Sequence, residues 1–595
     1  MSQERENPPA PAEGGLSADQ AVRRPLRVLE LERSDPGAAE RLWGGLEFGQ
    51  RLRGVLNAPA AERNRLITLA PDARALTRAL APDEFAATVL AVEADEAGEL
   101  LARSTDAQLT YLLDLTGWVA ERFAPQRYAS WLPLLLEGGA PRLQRWLASA
   151  DPEVLALLFA HWFRVEKFLP SQDQQEPPDG LPEFTLDGVY FIEFRDQKTA
   201  GFVAQLLTVL KSELAGSYTR VLESMLWESA AQLAEDALRW RTGRLMDAGF
   251  PSRLEALELW GRPRPGEADW RKLPPKRELG FLAGAPPRSD AAARLLPAEE
   301  MLPRLAGRLE PEAADRLRAE LAYLANCGVV ALEADPARPQ AVERAARESL
   351  GLANLGLGLV SQDDPAAAAA ALERVGLAAL ARQGAAALRE VNQRAWRLIR
   401  EGWLAEMPNS LHLLDHPLDR WIAGLVFPRP RCYDPGLGGD REYRSFAGLA
   451  DLEMARRAVA RAEFWGVLLF QLMGLEPGRT AELLTAEAWP EDPRERKLSA
   501  VVGTWLARRA LGLEGLAPLP AGRLGEAVRA LQEGLAGPLA EELGRGLHQL
   551  SDPAEAALAG ELLRGALGLL RQELGGLDPE ARLEPAFLAG LVVEK

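Results

Sequence analysis

Leu69-Ala70-Pro71-Asp72 returns unchanged as Leu80-Ala81-Pro82-Asp83, and looser copies of the same punctuation follow at Asp95, Asp106 and Asp151-Pro152. Proline at a first helical position gives up an amide that has no intrahelical partner, and the acid beside it meets the positive end of the helix dipole. Each copy therefore predicts a helix start. Small apolar clusters follow the acids, as in Val89-Leu90, Leu100-Leu101, Leu112-Leu113 and Leu157-Leu158. The period leaves room for about two or three turns per unit, too few to stand alone in water, so each unit must bury its stripe against neighbours. The expectation is a mainly α protein whose N-terminal part stacks short helices into a superhelix, an architecture that presents surface to partners. Asp364-Pro365, Asp552-Pro553 and Asp578-Pro579 repeat the device further on.

Composition sets the outer bounds. The chain has 595 residues, 47 % of them hydrophobic, enough for several domains with real cores. Met1 to about Ala21 is rich in Pro, Glu and Gly and lacks a basic start followed by an apolar segment, which predicts a disordered tail over 1–22. The longest apolar run, Phe464 to Leu475, is too short to span a bilayer and contains Gln471. A cytoplasmic protein without membrane insertion is expected. Its two cysteines, Cys327 and Cys432, cannot build a disulfide framework and fit a reducing compartment. A net charge of −17 excludes a protein that coats nucleic acid or anionic membrane through its overall field. Any such binding has to be local.

The pattern predicts a helical repeat domain over 23–169 and a polar, Pro-rich linker over 170–182. A β-hairpin plus helices should occupy 183–260, followed by a Pro/Arg-rich linker over 261–303. Helical domains over 304–427 and 441–595 flank a glycine-rich loop. The hairpin rests on FTLDGVYFIEF, Phe184 to Phe194, where β-branched and aromatic residues flank the turn dipeptide Asp187-Gly188. Two amphipathic helices should follow from Thr199 to about Ala248. On the second, Leu222, Met225, Leu226, Ala230, Leu233, Ala237 and Trp240 share one face. Asp236 falls in that sector, and Arg241 or Arg244 is its expected partner.

Chemical motifs are sparse. None of the seven lysines follows a glycine, so a P-loop is excluded; Gly351, Gly356 and Gly358 are wrongly spaced for a dinucleotide fingerprint, and no Gly-x-Ser-x-Gly elbow occurs. His412 and His416, four apart, have Asp415, Asp419 and Cys432 nearby. Pro417 breaks the helix that such a pair needs, and no Glu stands between the histidines. His161, between Ala160 and Trp162, reads as a core or groove histidine. These readings predict no catalytic residues, no metal and no cofactor. One stretch runs against the acidic trend: residues 237–294 carry twelve Lys and Arg against seven Asp and Glu, with Trp240, Phe250, Trp260, Trp270 and Phe281 interleaved. Trp240, Arg241, Arg244, Arg253, Arg262 and Arg264 are the candidate binding residues, suited to an acidic partner surface or a phosphate.

From Phe184 to Trp260, the DGVYF hairpin, two helices, the string Leu238-Arg239-Trp240-Arg241-Thr242-Gly243-Arg244-Leu245 and Gly249-Phe250-Pro251 follow in a distinctive order. With Leu324-Ala325-Asn326, Asn354-Leu355-Gly356-Leu357-Gly358 and Phe446-Ala447-Gly448-Leu449-Ala450-Asp451-Leu452, the chain resembles a bacterial family of large cytoplasmic helical proteins, a domain of unknown function. The resemblance implies a fold and no activity. The repeats of 69–113 are also similar to the helical superhelix of MgtE-type magnesium channels and flagellar rotor switch proteins, which implies a docking surface. The leading expectation is a non-enzymatic scaffold or regulatory protein that binds another protein through its helical surfaces. Two alternatives stay open: polyanion or nucleic-acid binding through 237–294, and an enzyme with a carboxylate and arginine site drawn from Asp236, Glu228 and Arg241.

Overall fold

A computed structural model describes residues 18–137, 139–169, 178–261, 271, 288–407, 410–437, 441–485 and 497–534, with scattered positions between 556 and 594. These residues form a mainly α fold, 69 % helical, with a few small antiparallel sheets. Short helices dominate the repeat-bearing segment: Arg63–Thr68, Ala73–Ala79, Pro82–Val89, Ala94–Arg103 and Asp106–Thr116. Their starts follow the sequence logic unevenly. Pro82 stands in the first turn of its helix with Asp83 and Glu84 beside it, Pro152 likewise with Glu153, and Pro365 follows the capping Asp364. In the identical tetrapeptide upstream, Pro71 lies in a turn and Asp72 is the residue before the helix. The apolar clusters bury as expected: Leu100, Leu101, Leu112 and Leu158 have no exposed surface. The helix Pro82–Val89 packs on Asp106–Thr116, and Ala73–Ala79 on Ala94–Arg103.

Two compact units divide the chain. The first comprises residues 1–353 and 364–382. Its core runs through Trp43, Phe85, Trp118, Trp146, Phe159 and Phe163, all nearly or fully buried. Trp43 donates its indole N–H to Leu66 O at 2.9 Å. The ring leaves no room for a side chain at Gly54, where a Cβ would lie 2.6 Å from it. The second unit comprises 354–363 and 383–595, with a core that includes Leu355, Ile422, Leu452, Val459 and Leu468.

The hairpin forms, and it has a third strand. Phe184–Thr185 and Tyr190–Phe194 pair antiparallel in the register Phe184↔Ile192. The turn between them is an Asx turn: Asp187 Oδ1 accepts from the amides of Val189 and Tyr190, both at 3.0 Å, and Gly188 has φ +72. On its other edge Tyr190–Phe194 pairs with Phe163–Lys167, which follows directly on the helix Pro152–Trp162. Arg164 lies opposite Glu193 there, a favourable cross-strand pair. Two smaller ladders, 118–119 with 122–123 and 432–433 with 443–444, were not expected either.

Three helices replace the two expected over 199–248: Gln197–Glu213, Ala215–Trp227 and Ala230–Asp247. The extra break falls at Glu228-Ser229, where Ser229 Oγ accepts from the Gln232 amide at 3.1 Å and caps a new helix. The break resets the helical phase. Leu222, Leu233 and Ala237 are buried, whereas Trp240, assigned to the same face by a continuous period, is 51 % exposed. No helix among the described residues is long and apolar enough to cross a membrane.

Candidate functional site

The helices Asp106–Thr116 and Ala230–Asp247 of the first unit meet at a network of charged groups. Thr105 and Gln108 form a capping box at the start of the first helix, and Gln108 Nε2 also donates to the carbonyls of Thr77 and Leu80, each at 2.8 Å. That anchors the helix on the preceding repeats. Asp114, in its last turn among Leu112, Leu113 and Leu115, is buried. A carboxylate there requires a partner, and Arg244 supplies one in a fork: Nε donates to Asp114 Oδ2 at 2.7 Å and Nη2 to Oδ1 at 2.9 Å. Arg244 Nη1 reaches Asp151 Oδ2 at 2.8 Å. Arg241, one turn earlier, donates from Nε to the Asp114 carbonyl at 2.7 Å. Its guanidinium stands 5.1 Å from the centre of the Trp118 ring.

The expected pairing with Asp236 is therefore corrected. Asp236 accepts from Gln232, four residues earlier on its own exposed helix side. Arg241 and Arg244 turn instead to Asp114, 127 and 130 residues away in sequence, the first to its backbone carbonyl and the second to its carboxylate. The signal for Asp114 was legible, since one acid inside Leu-Leu-Asp-Leu asks for a partner, but nothing local named Arg244. Burial pushes the Asp114 carboxyl above its ordinary range against the pull of Arg244 and Arg241, and it lowers the Arg241 pKa.

A second node lies beside the first. Arg288 Nε donates to Asp83 Oδ2 at 2.8 Å, the Ser289 amide donates to Glu84 Oε1 at 2.6 Å, and buried Arg63 donates to Glu84 Oε2 at 2.7 Å. Asp83 Oδ1 is buried without a hydrogen-bond donor. Burial raises the Asp83 carboxyl, and burial followed by the Asp83 charge raises the Tyr111 phenol well above its usual value. Asp83, Tyr111, Asp114, Arg244 and Arg288 line one cleft. A neighbouring cavity of about 250 Å³ is lined by Trp118, Arg241, Leu245, Phe250 and Val329.

The other expected residues lie at the surface or outside this description. Trp240 is exposed, with the Arg239 guanidinium 5.5 Å from its ring centre. Arg253, half exposed, starts the helix Arg253–Glu258 and pairs with Glu333. Arg262 and Arg264 lie outside the described residues. Glu228 is exposed. The candidate metal residues are engaged elsewhere: His416 contacts Tyr433 and Asp419, the His412 carbonyl accepts from Lys497, and Asp415 accepts from Ser499. Among the described residues no group of three His, Cys, Asp or Glu could hold a metal ion. His161 is half-buried near the end of its helix.

Around these sites the exposed apolar surface is uneven. Of the twelve large hydrophobic side chains that stand exposed among the described residues, Trp227, Trp240, Met246, Leu254 and Leu257 fall within 227–257. A family model described as a family of unknown function (DUF6178) matches residues 40–594. No curated protein and no solved structure matches the chain.

Proposed function

The chain belongs to the family of unknown function DUF6178, and from that premise, which assigns no activity, we propose that it is a non-enzymatic scaffold or regulatory protein that binds another protein. The docking face is the helical surface of 227–257. The concentration of exposed apolar side chains in this one stretch of three successive helices carries the reading, since exposed apolar surface gathered in one region marks interaction sites. Trp240 and Arg253 are of the residue types that anchor interfaces. Arg253 can exchange its exposed Glu333 pair for an acidic group on the partner, because such surface pairs contribute little. Arg241 and Arg244 contribute by holding the helix in place. The polyanion alternative loses support from five of the seven described arginines of the basic stretch: Arg244, Arg253 and Arg288 bind carboxylates, and Arg241 and Arg294 bind carbonyls, of the same unit.

The test is an affinity pull-down from the native cell with the full chain tagged at its N-terminus. The double variant Trp240→Glu/Leu254→Glu should lose the recovered partner with its melting temperature unchanged, whereas Phe427→Glu, an exposed apolar position of the second unit, should keep it. Recovery of every partner by the double variant overturns the docking face. Turnover of a chromogenic ester, phosphate ester or glycoside that disappears in Asp83→Asn/Asp114→Asn would instead support an enzyme at the carboxylate cleft.

A further inference from the structure

The cavity beside Arg241 shares Met246, Arg253 and Glu333 with the proposed docking face but rests on a different observation. Arg241 is half-buried, and apart from the bond of its Nε to the Asp114 carbonyl its guanidinium has no hydrogen-bond acceptor among the described residues. Both amino groups are therefore unfilled donors, held in place by that bond and by the Trp118 ring. The Trp118 indole N–H, in a side chain only 1 % exposed, is also without an acceptor. Leu245, Phe250, Pro251 and Val329 form the apolar side of the cavity. The acids around it are already paired: Asp114 with Arg244, Glu333 with Arg253, and Asp335 with both arms of Arg127 at 2.9 Å. Glu121 stands exposed at the rim without an ion pair.

A charged donor group beside an apolar hollow is the usual recognition logic of a small-ligand site, and here Arg241 supplies it. A planar guanidinium with open amino groups selects an oxyanion, because charge-assisted, two-pronged hydrogen bonds are the strong ones. We propose that this cavity binds the anion of an apolar acid, with the hydrocarbon body against Phe250 and Val329 and the acidic head on Arg241. The site does not depend on the protein partner, and its test uses a small molecule alone.

The probe is anilinonaphthalenesulfonate, an aromatic anion that fluoresces when taken out of water, compared with neutral phenylnaphthylamine of similar shape. The full-length wild type should bind the sulfonate at least tenfold more tightly than the neutral compound. Arg241→Gln should weaken the sulfonate at least tenfold while leaving the neutral probe within twofold, and Arg241→Lys should fall between. Glu121→Gln should tighten the sulfonate at low salt. Thr242→Trp, at an exposed position of the rim, should exclude both probes without touching Arg241, and it decides the matter if Arg241→Gln fails to fold. Equal affinity of the wild type for the two probes, sulfonate binding unchanged in Arg241→Gln, or both probes retained in Thr242→Trp would each overturn the proposal.

Discussion

At the scale of single residues, Arg244 and Asp236 carry opposite expectations. Removing Arg244 takes the forked partner from the buried Asp114 carboxylate, whereas half-buried Asp236 accepts one hydrogen bond, from Gln232 on its own helix. Arg244→Gln should therefore lower unfolding stability by about 3 kcal/mol, and Asp236→Asn should stay within about 0.5 kcal/mol. Urea denaturation of both variants measures this; equal losses would restore the pairing that chain proximity suggested. Asp114 also fixes a sign with pH. Its carboxyl is raised above the ordinary value of 3.8, first by burial. The folded chain thus binds that proton more tightly than the unfolded one. The stabilising contribution is complete below the unfolded value and is lost as pH rises through the folded one. Asn does not titrate, so the stability of wild type minus that of Asp114→Asn should fall as pH rises across that window. A difference that rises with pH would mean that the Arg244 pair outweighs burial.

At the scale of elements, Ser229 separates two helices that a single period would fuse. Its side chain satisfies the Gln232 amide, so Ser229→Ala should cost about 1 kcal/mol, read as a shift in denaturation midpoint with unchanged slope. A neutral outcome would show that packing alone sets the break. Such breaks decide how far the fold is legible from residues alone. The Asp-Pro starts at Pro152 and Pro365 are local events, set by a missing amide and a nearby acid, Glu153 in the first turn of one helix and Asp364 capping the other, and they can be read directly. Leu-Ala-Pro-Asp is not sufficient by itself. At Asp83 the acid enters the helix and meets Arg288, while at Asp72 it stays outside and meets Arg51. The strand Phe163–Lys167 has only five residues and continues from a helix without punctuation, so its identity comes from pairing with Tyr190–Phe194. The candidate site shares that division. Arg241 and Arg244 stood out by composition, but Asp114, Asp151 and Trp118 enter only through long-range packing.

At the scale of the whole molecule, two of the three boundaries between the units fall inside helices. Ala353 and Asn354 are consecutive residues of Pro339–Ser361, and Arg382 and Gln383 are consecutive residues of Leu377–Arg400. The first unit therefore draws back residues 364–382, where the Leu377 amide donates to buried Glu320 at 3.3 Å. A fragment of residues 18–382 should melt cooperatively, and one of 18–353 should melt at lower temperature, because it lacks the helix Pro365–Arg374 and leaves Glu320 without that donor. Equal melting curves would mean that the returning segment contributes nothing to the first unit. Circular dichroism of the full chain should be dominated by helix, consistent with 69 % among the described residues. The interleaving also bears on inheritance. A single recombination breakpoint at any of the three boundaries would strand a segment of one unit in the wrong product, and at two of them it would also cut a helix. Inheritance as one piece avoids that loss, and the family match, residues 40–594, spans both units.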